Sequence, residues 1–419
     1  MSSELLGLLA RSKGVALIGS TTIVGLFPQL LGPGGVQESG RFTAAALAQI
    51  CAHRGWRAAF LSLNDPPAER ALDLADQHVS FVGFARAKSR FAAQAILHAR
   101  LASGSGRVIL LAAHPNLALP SSLAQELASG CKSIVMTHGV EVWTRLPSLK
   151  RRALLRANLV LAPSRYTAQK LNQVQLVQAA KIRRVPWPLN PEFLRMADSP
   201  YSLPLPDNFP SGLVVLTVGR WSVSERYKGT DDLIKAVALL GAIAPDVQLV
   251  AVGDGDDLPR LKSVAQEHSV QDRVHFLTNC SREELAACYR RADLFALPST
   301  GEGFGLVFLE AMAFSKAVVG AACGGAIDLI DHEKSGLLIA PHDVNQLAES
   351  LRRLLQDESL RHEMGRRGGE VARQQYPFSA FQTQLEEILV ALWQSGHEVD
   401  LNASNSIASR ARAQSSCES

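Results

Sequence analysis

A chain of 419 residues is too long for one ordinary hydrophobic core and calls for two domains. With 47% hydrophobic and 20% charged residues it has the composition of a soluble globular protein, and no stretch approaches the ~20 apolar residues of a transmembrane helix. The net charge of +4 conceals an asymmetry, because residues 1–190 carry 22 Lys+Arg against 8 Asp+Glu and the remainder 21 against 31. That imbalance points the first half toward an anionic partner, an acidic membrane surface or a phosphorylated substrate, with plain solvated charge as the rival reading. Met1 to Gly14 lacks the apolar core of a signal peptide, so a cytoplasmic protein is expected, with at most peripheral contact at the inner membrane face. Six cysteines, with no CxxC pair among them, read as small buried hydrophobes in a reducing compartment.

Short apolar runs alternate with helical periodicity along the chain, the pattern of βα units and parallel sheets. Strands are predicted at residues 14–20, 57–63, 79–83, 107–112, 132–137 and 158–163 of the first half. Gly32-Pro33-Gly34-Gly35-Val36 precedes a helix over 38–54, and its glycines let backbone approach a ligand closely. His138-Gly139-Val140-Glu141-Val142-Trp143 follows the fifth strand. A lone histidine there is either a satisfied structural residue or a substrate contact facing a cleft. Next, Arg145, Lys150, Arg151, Arg152 and Arg156 interleave with Leu146, Leu149, Leu154 and Leu155. Such a basic amphipathic stretch either rests on anionic lipid or covers the core as a solvated face.

Two proline-dense stretches, at 186–191 and 200–210, hold seven of the 20 prolines and mark the linker. Beyond them strands are predicted at 213–219, 247–253, 273–277, 293–298, 317–322 and 336–339. Gly219-Arg220 and Arg226-Tyr227-Lys228-Gly229 put two cations at a strand end and a helix start. There Arg220, as a bidentate fork, and Lys228, as a point charge, suit a pyrophosphate. Gly253-Asp254-Gly255-Asp256-Asp257 is read as an acidic helix cap in preference to a metal or dinucleotide turn. In Ser299-Thr300-Gly301-Glu302-Gly303-Phe304-Gly305, a glycine-rich turn joins a strand to the helix bearing Glu310. A helix start of this kind offers free N–H groups to an anion, while Glu302 and Glu310 accept from hydroxyls beside it. Phosphate plus hydroxyls means a sugar nucleotide. Cys323-Gly324-Gly325-Ala326 is a further turn able to add backbone donors. A helix over 378–393 is expected to pack back across the domains, followed by a disordered tail from Ser395.

Residues 14–393 resemble the retaining glycosyltransferases of family 4, which have the GT-B fold of two Rossmann-like doubly wound domains facing a cleft. The segments that carry the resemblance are Gly219-Arg220…Tyr227-Lys228-Gly229 and Glu302-Gly303-Phe304-Gly305…Phe308-Leu309-Glu310-Ala311, with Gly34-Gly35-Val36, His138-Gly139-Val140-Glu141 and Ala162-Pro163-Ser164-Arg165-Tyr166-Thr167. The resemblance implies an acceptor-side domain over 1–186, a donor-binding domain over 187–376, a crossover helix over 377–394 and a tail over 395–419. It implies that Arg220 and Lys228 bind the pyrophosphate and Glu310 the ribose hydroxyls. Glu302 then contacts the transferred sugar, with Gly303, Phe304, Gly305 and Leu306 completing the cradle, Gly35 near the phosphates and His138 near the sugar. Glu302, His138, Arg220 and Lys228 form the expected catalytic set.

Transfer with retention, without metal or cofactor, is the family picture. GDP-mannose or a UDP-sugar is the expected donor, and the acceptor a glycan or lipid-phosphate-linked molecule of cell-surface polysaccharide or glycolipid synthesis. Nucleic acid is not an expected partner. Two segments depart from the family pattern, Val185-Pro186-Trp187-Pro188-Leu189-Asn190-Pro191 and Phe314-Ser315-Lys316-Ala317-Val318-Val319, and neither touches the charged clamp. Two other classes share the cleft: a sugar-nucleotide epimerase or oxidoreductase, which converts donor without acceptor, and a noncatalytic binding module, which binds without turnover.

Overall fold

The computed structural model describes residues 20–74, 77–241 and 246–393. The first sheet contains β1 (Ser20–Phe27), β2 (Arg57–Ser62), β3 (Ala68–Leu74), β4 (Gln77–Gly83), β5 (Gly106–Ala112), β6 (Cys131–Met136), β7 (Leu159–Ala162) and β8 (Ile182–Arg184). Their order is β3-β4-β2-β1-β5-β6-β7-β8, parallel throughout except that β3 runs antiparallel to β4. The second sheet, β9 (Leu213–Val218), β10 (Val247–Val252), β11 (Val274–Leu277), β12 (Leu294–Leu297), β13 (Ala317–Ala321) and β14 (Gly336–Ile339), is wholly parallel, in the order β11-β10-β9-β12-β13-β14.

Central strands are continuous apolar runs because helices cover both faces. Val108–Ala112 and Leu294–Leu297 are buried at every position. Around the first sheet lie α1 (Gly35–Arg54), α2 (Lys88–Ser103), α3 (Ala118–Leu127), α4 (Val140–Trp143), α5 (Ser148–Arg156) and α6 (Arg165–Gln173). The helix α7 (Pro191–Asp198) leads out of this lobe. The second lobe carries α8 (Thr230–Leu239), α9 (Leu258–Glu267), α10 (Arg282–Arg291), α11 (Leu306–Ala313), α12 (Ala326–Leu329), α13 (Val344–Gln356) and α14 (Glu358–Gln375). Finally α15 (Phe378–Ala391) returns to the first lobe, where Phe378 meets the Phe42 ring at 6.4 Å and Lys132 Nζ donates to Leu392 O at 2.5 Å. One hydrophobic cluster runs from Phe27 and Phe42 through Trp187 and Phe193 to Phe295 and Phe308, tying the lobes together.

Several expectations shift. The first strand is described over Ser20–Phe27; residues 14–19 of the predicted strand lie outside the described residues, as does the tail from Ser395. The helix expected from residue 38 starts at Gly35. Strands β3 and β8 were not expected; both are edges carrying Glu69, Arg70 and Asp73, or Arg183 and Arg184, and charge on an edge hides the apolar alternation. Among the described residues, no helix is long and apolar enough to cross a membrane.

Candidate functional site

The apolar strand β12 ends in the turn 298–305, and Gly305 at φ 98° caps α11 in a left-handed geometry that other residues resist. Phe308 N bonds back to Gly305 O, while the N–H groups of Gly303, Phe304, Gly305 and Leu306 take no acceptor among the described residues. These donors cluster at the start of a helix, where the dipole favours an anion. Into the same turn projects Lys228, from the end of the 3-10 turn Val223–Lys228. Its Nζ lies 2.9 Å from Glu302 Oε1, and the two side chains are only 15% and 13% exposed. Burial works against the ammonium, but the Glu302 charge and hydrogen bond outweigh it and raise the lysine pKa above its ordinary value.

Arg220 opens the same loop and is 67% exposed, paired with Glu225. The turn at 253–257 braces this loop. Trp221 N donates to Asp254 O at 2.8 Å, Val223 N to Asp256 Oδ1 at 2.9 Å, and Arg226 Nη2 to Asp257 Oδ1 at 2.8 Å. The acidic cap expected here is met in position by Asp257, the N-cap of α9, although its side chain makes no cap bond. Hydrogen bonds from Arg260, and then, against burial, from Arg226, hold its carboxyl down to about 2. The turn at 323–326 is likewise a brace, since Gly325 N donates to Glu302 O at 2.6 Å.

Glu310, one turn into α11, keeps part of its surface accessible and accepts from Tyr289 Oη at 2.8 Å. Burial pushes its carboxyl up to about 7, opposed by the Tyr289 bond, reinforced by the Glu38 charge and relieved by Arg282. Those last two residues join the lobes. Arg282 Nη2 lies 3.4 Å from Glu38 Oε2, Asn190 also donates to Glu38, and Arg282 pairs with Glu192. A cavity of about 110 Å³ lies among Glu38, Arg41, Phe42, Asn190, Glu192 and Arg282. Glu38 escaped the sequence reading because a contact between lobes leaves no local spacing to detect, and Tyr289 escaped it because it reaches Glu310 from a separate helix of the second lobe.

His138 stands at the end of β6. Its Nε2 donates to Ala113 O at 2.7 Å, and its Nδ1 lies 3.2 Å from Ser39 Oγ, whose hydroxyl also donates to Val36 O at 3.0 Å. The ring is stacked between His114 and Trp187, with centroids at 5.3 and 5.4 Å. Burial, then the His138 and Lys150 charges, push the His114 ring down to about 3, which keeps this stack uncharged on that side. Beside it the lobes touch. A Cβ on Gly303 would lie 1.7 Å from His138 O, and one on Gly139 would lie 2.3 Å from Gly303 Cα. Arg165 N donates to Asp328 Oδ2 at 2.6 Å nearby. Gly35, the first residue of α1, has open space where a Cβ would stand. Glu302, Lys228, Gly303, Gly305 and His138 therefore meet at one junction, with Glu310 a turn behind and Arg220 on the rim. Gly303→Ala is expected to hold the lobes apart and lower turnover by ~10-fold, less than the ~10²-fold that a 1 Å misplacement can cost, while nucleotide binding by the second lobe persists. Steady-state kinetics beside nucleotide titration check this.

Residues 208–371 match the family model described as glycosyl transferases group 1, and residues 34–193 match the model described as Glycosyltransferase Family 4. The GDP-mannose-dependent alpha-(1-6)-phosphatidylinositol monomannoside mannosyltransferase of Mycobacterium tuberculosis is 30% identical over 274 residues, 63% of this chain and 70% of that protein. The D-inositol 3-phosphate glycosyltransferase of Corynebacterium jeikeium is 40% identical over 148 residues, and the match covers 34% of this chain and 35% of the relative. The chain thus spans about a third of that relative's length. Among solved structures, the Anabaena HepE protein in complex with UDP superposes with a TM-score of 0.67 at 19% identity, covering 89% of this chain and 100% of that one. A glycosyltransferase from Rickettsia africae gives a TM-score of 0.71 at 17% identity, over 90% and 100% of the two chains. These structural likenesses establish the fold.

Proposed function

The chain belongs to the glycosyl transferases group 1, family 4 glycosyltransferases of GT-B fold, and on that premise we propose that it transfers a hexose from a nucleotide sugar to a glycan or lipid-linked acceptor with retained anomeric configuration. The observation that carries this reading is the pairing of Lys228 with Glu302 at the mouth of a helix start whose N–H groups take no partner among the described residues. In this reading the diphosphate lies on the N–H groups of Phe304, Gly305 and Leu306, with Gly35 opposite. Lys228 and Arg220 meet the charge that develops on the leaving nucleotide, the task a metal performs in other transferases. Glu310 accepts the ribose hydroxyls and Glu302 those of the transferred sugar. His138, whose ring nitrogens are both engaged by protein, holds the loop against which the sugar rests. Residues 1–186 form the acceptor side and 187–376 the donor side of the cleft.

The mycobacterial relative's name supports GDP-mannose as donor, and the UDP-bound structure of similar fold supports a uridine donor. Thermal-shift titration with GDP, UDP and ADP, followed by nucleotide release across a donor panel, distinguishes them. A single nucleotide is expected to raise the melting temperature, by mass action on the folded state. The absence of any shift, together with no release of nucleotide from any donor, would sink the reading.

A further inference from the structure

Where α1, α7 and α10 meet, around the cavity beside Glu38, one arginine crosses from lobe to lobe. Arg282 is the first residue of α10, and a capping box sets its direction. Ser281 Oγ accepts from Glu284 N at 3.1 Å, and Glu284 Oε2 accepts from Ser281 N at 2.7 Å. From that start the guanidinium leaves the second lobe, pairing with Glu192 of α7 and lying 3.4 Å from Glu38 Oε2 of α1. At 34% exposed it has room to change partner, whereas the Glu38 side chain is 13% exposed and held in place. Arg41 Nε donates to Glu38 at 3.0 Å, and Asn190, the buried N-cap of α7, donates to it as well. Asp73 and Arg195 also line the cavity.

Through Arg41, Glu38 also holds the glycine loop of the first lobe. Arg41 Nη1 donates to Leu30 O at 3.0 Å and to Gly32 O at 2.8 Å. The amides of the same loop, Leu30 N at 2.7 Å and Leu31 N at 3.2 Å, donate to the fully buried carboxylate of Asp65. Residues 30–32 are therefore gripped from both sides, by their carbonyls and by their amides, just ahead of Gly35.

Arg282 stands as one cation among three carboxylates. Burial works against its charge, and Glu38, Glu192 and Glu310 outweigh that burial. At Glu310, after burial and the Tyr289 hydrogen bond, Glu38 favours the protonated carboxyl and Arg282 the ionised one. The two members of the interlobe pair thus push the ribose site in opposite directions. Ribose hydroxyls donate best to the ionised carboxylate, so a nucleotide arriving there competes with Glu38 for the same arginine.

We propose that Arg282 is a positioning residue for the donor, shared by Glu38 and Glu192 in the nucleotide-free protein and drawn toward Glu310 when ribose is bound. Glu38 then keeps Arg41 and Asn190 as its partners, and its undivided charge tightens the Arg41 grip on residues 30–32, which sets Gly35 against the diphosphate. This rests on the assignment of Glu310 to the ribose and adds how that site communicates with the opposite lobe.

The test is a double-mutant cycle, read by calorimetric titration of the full chain with GDP and with UDP. Arg282→Gln should weaken binding about tenfold in the parent background and less than about twofold in the Glu310→Gln background, which independent contributions do not produce. Arg282→Lys, which keeps the charge, should recover most of the loss. Glu38→Gln should bind nucleotide about threefold more tightly, because Arg282 is then free for Glu310. Its kcat should nevertheless fall about tenfold, because Arg41 loses the acceptor that orients it. A pair that merely ties the lobes together predicts that both variants lose affinity. Glu38→Gln weakening nucleotide binding as Arg282→Gln does, or Arg282→Gln losing equal affinity in both backgrounds, overturns the proposal and leaves the ribose assignment standing. Glu310→Gln binding nucleotide as the parent does is a different failure, which removes the ribose assignment and this proposal with it.

Discussion

Lys228→Ala is expected to lower kcat/KM for nucleotide release by about 10²–10³-fold, the cost of removing one preorganised charge from a developing anion. The 2.9 Å contact with Glu302 makes the two partners behave differently. Without ligand each neutralises the other in a site from which water is largely excluded. An arriving diphosphate offers the ammonium a second anion, and the exchange frees Glu302 to face the sugar hydroxyls. Glu302→Ala should therefore depress turnover about as strongly, because the sugar loses its acceptor. Yet it should bind the bare nucleoside diphosphate more tightly, since the ammonium then has no competing carboxylate and gains its only anionic partner from the ligand. Lys228→Ala weakens both properties. Titration of the two variants with nucleoside diphosphate gives opposite signs if the exchange is real. A Glu302→Ala protein that binds it as poorly as Lys228→Ala rules the exchange out.

The parallel strands were legible because a strand buried on both faces is a pure apolar run, as at Val108–Ala112 and Leu294–Leu297. The turn at 299–305 was legible for a similar reason: close backbone approach needs glycine, and Gly303 against His138 O admits nothing larger. What the residues alone could not show was which side chains meet across the lobes. Glu38 and Arg282 are 244 positions apart, and only the folded chain brings them beside Glu310. The acids at 254–257 were assigned to a cap by local rule, and Asp257 does stand at the cap, but Arg226, 31 positions earlier, and Arg260, three later in the first turn of α9, claim its side chain. The α5 stretch was read as either a lipid contact or a face covering the core, and the burial of Ala153 and Leu154 commits part of it to the core.

Glu310→Ala is expected to cost ~3 kcal/mol, about 10²-fold, in affinity for the nucleotide and in kcat/KM, because two hydrogen bonds from ribose to a charged acceptor disappear. The wild-type carboxyl adds a pH dependence. With burial pushing it up to about 7, the free protein holds a proton there in mildly acidic solution. Ribose hydroxyls donate to the ionised form, so binding favours deprotonation, and affinity should rise with pH up to about 7 and level off above it. The stability effect has the opposite sign. A carboxyl raised from 4.5 to about 7 binds more protons folded than unfolded in that window, so ionising it weakens the fold as pH rises through it. Glu310→Gln, which keeps the shape without the charge, should flatten both curves, and Tyr289→Phe, which removes the hydroxyl favouring the ionised form, should move the midpoint upward. Calorimetric titration in buffers of different ionisation enthalpy reads the proton released on binding directly. A wild-type protein that binds nucleotide with no proton release near pH 6 would place the ribose away from Glu310.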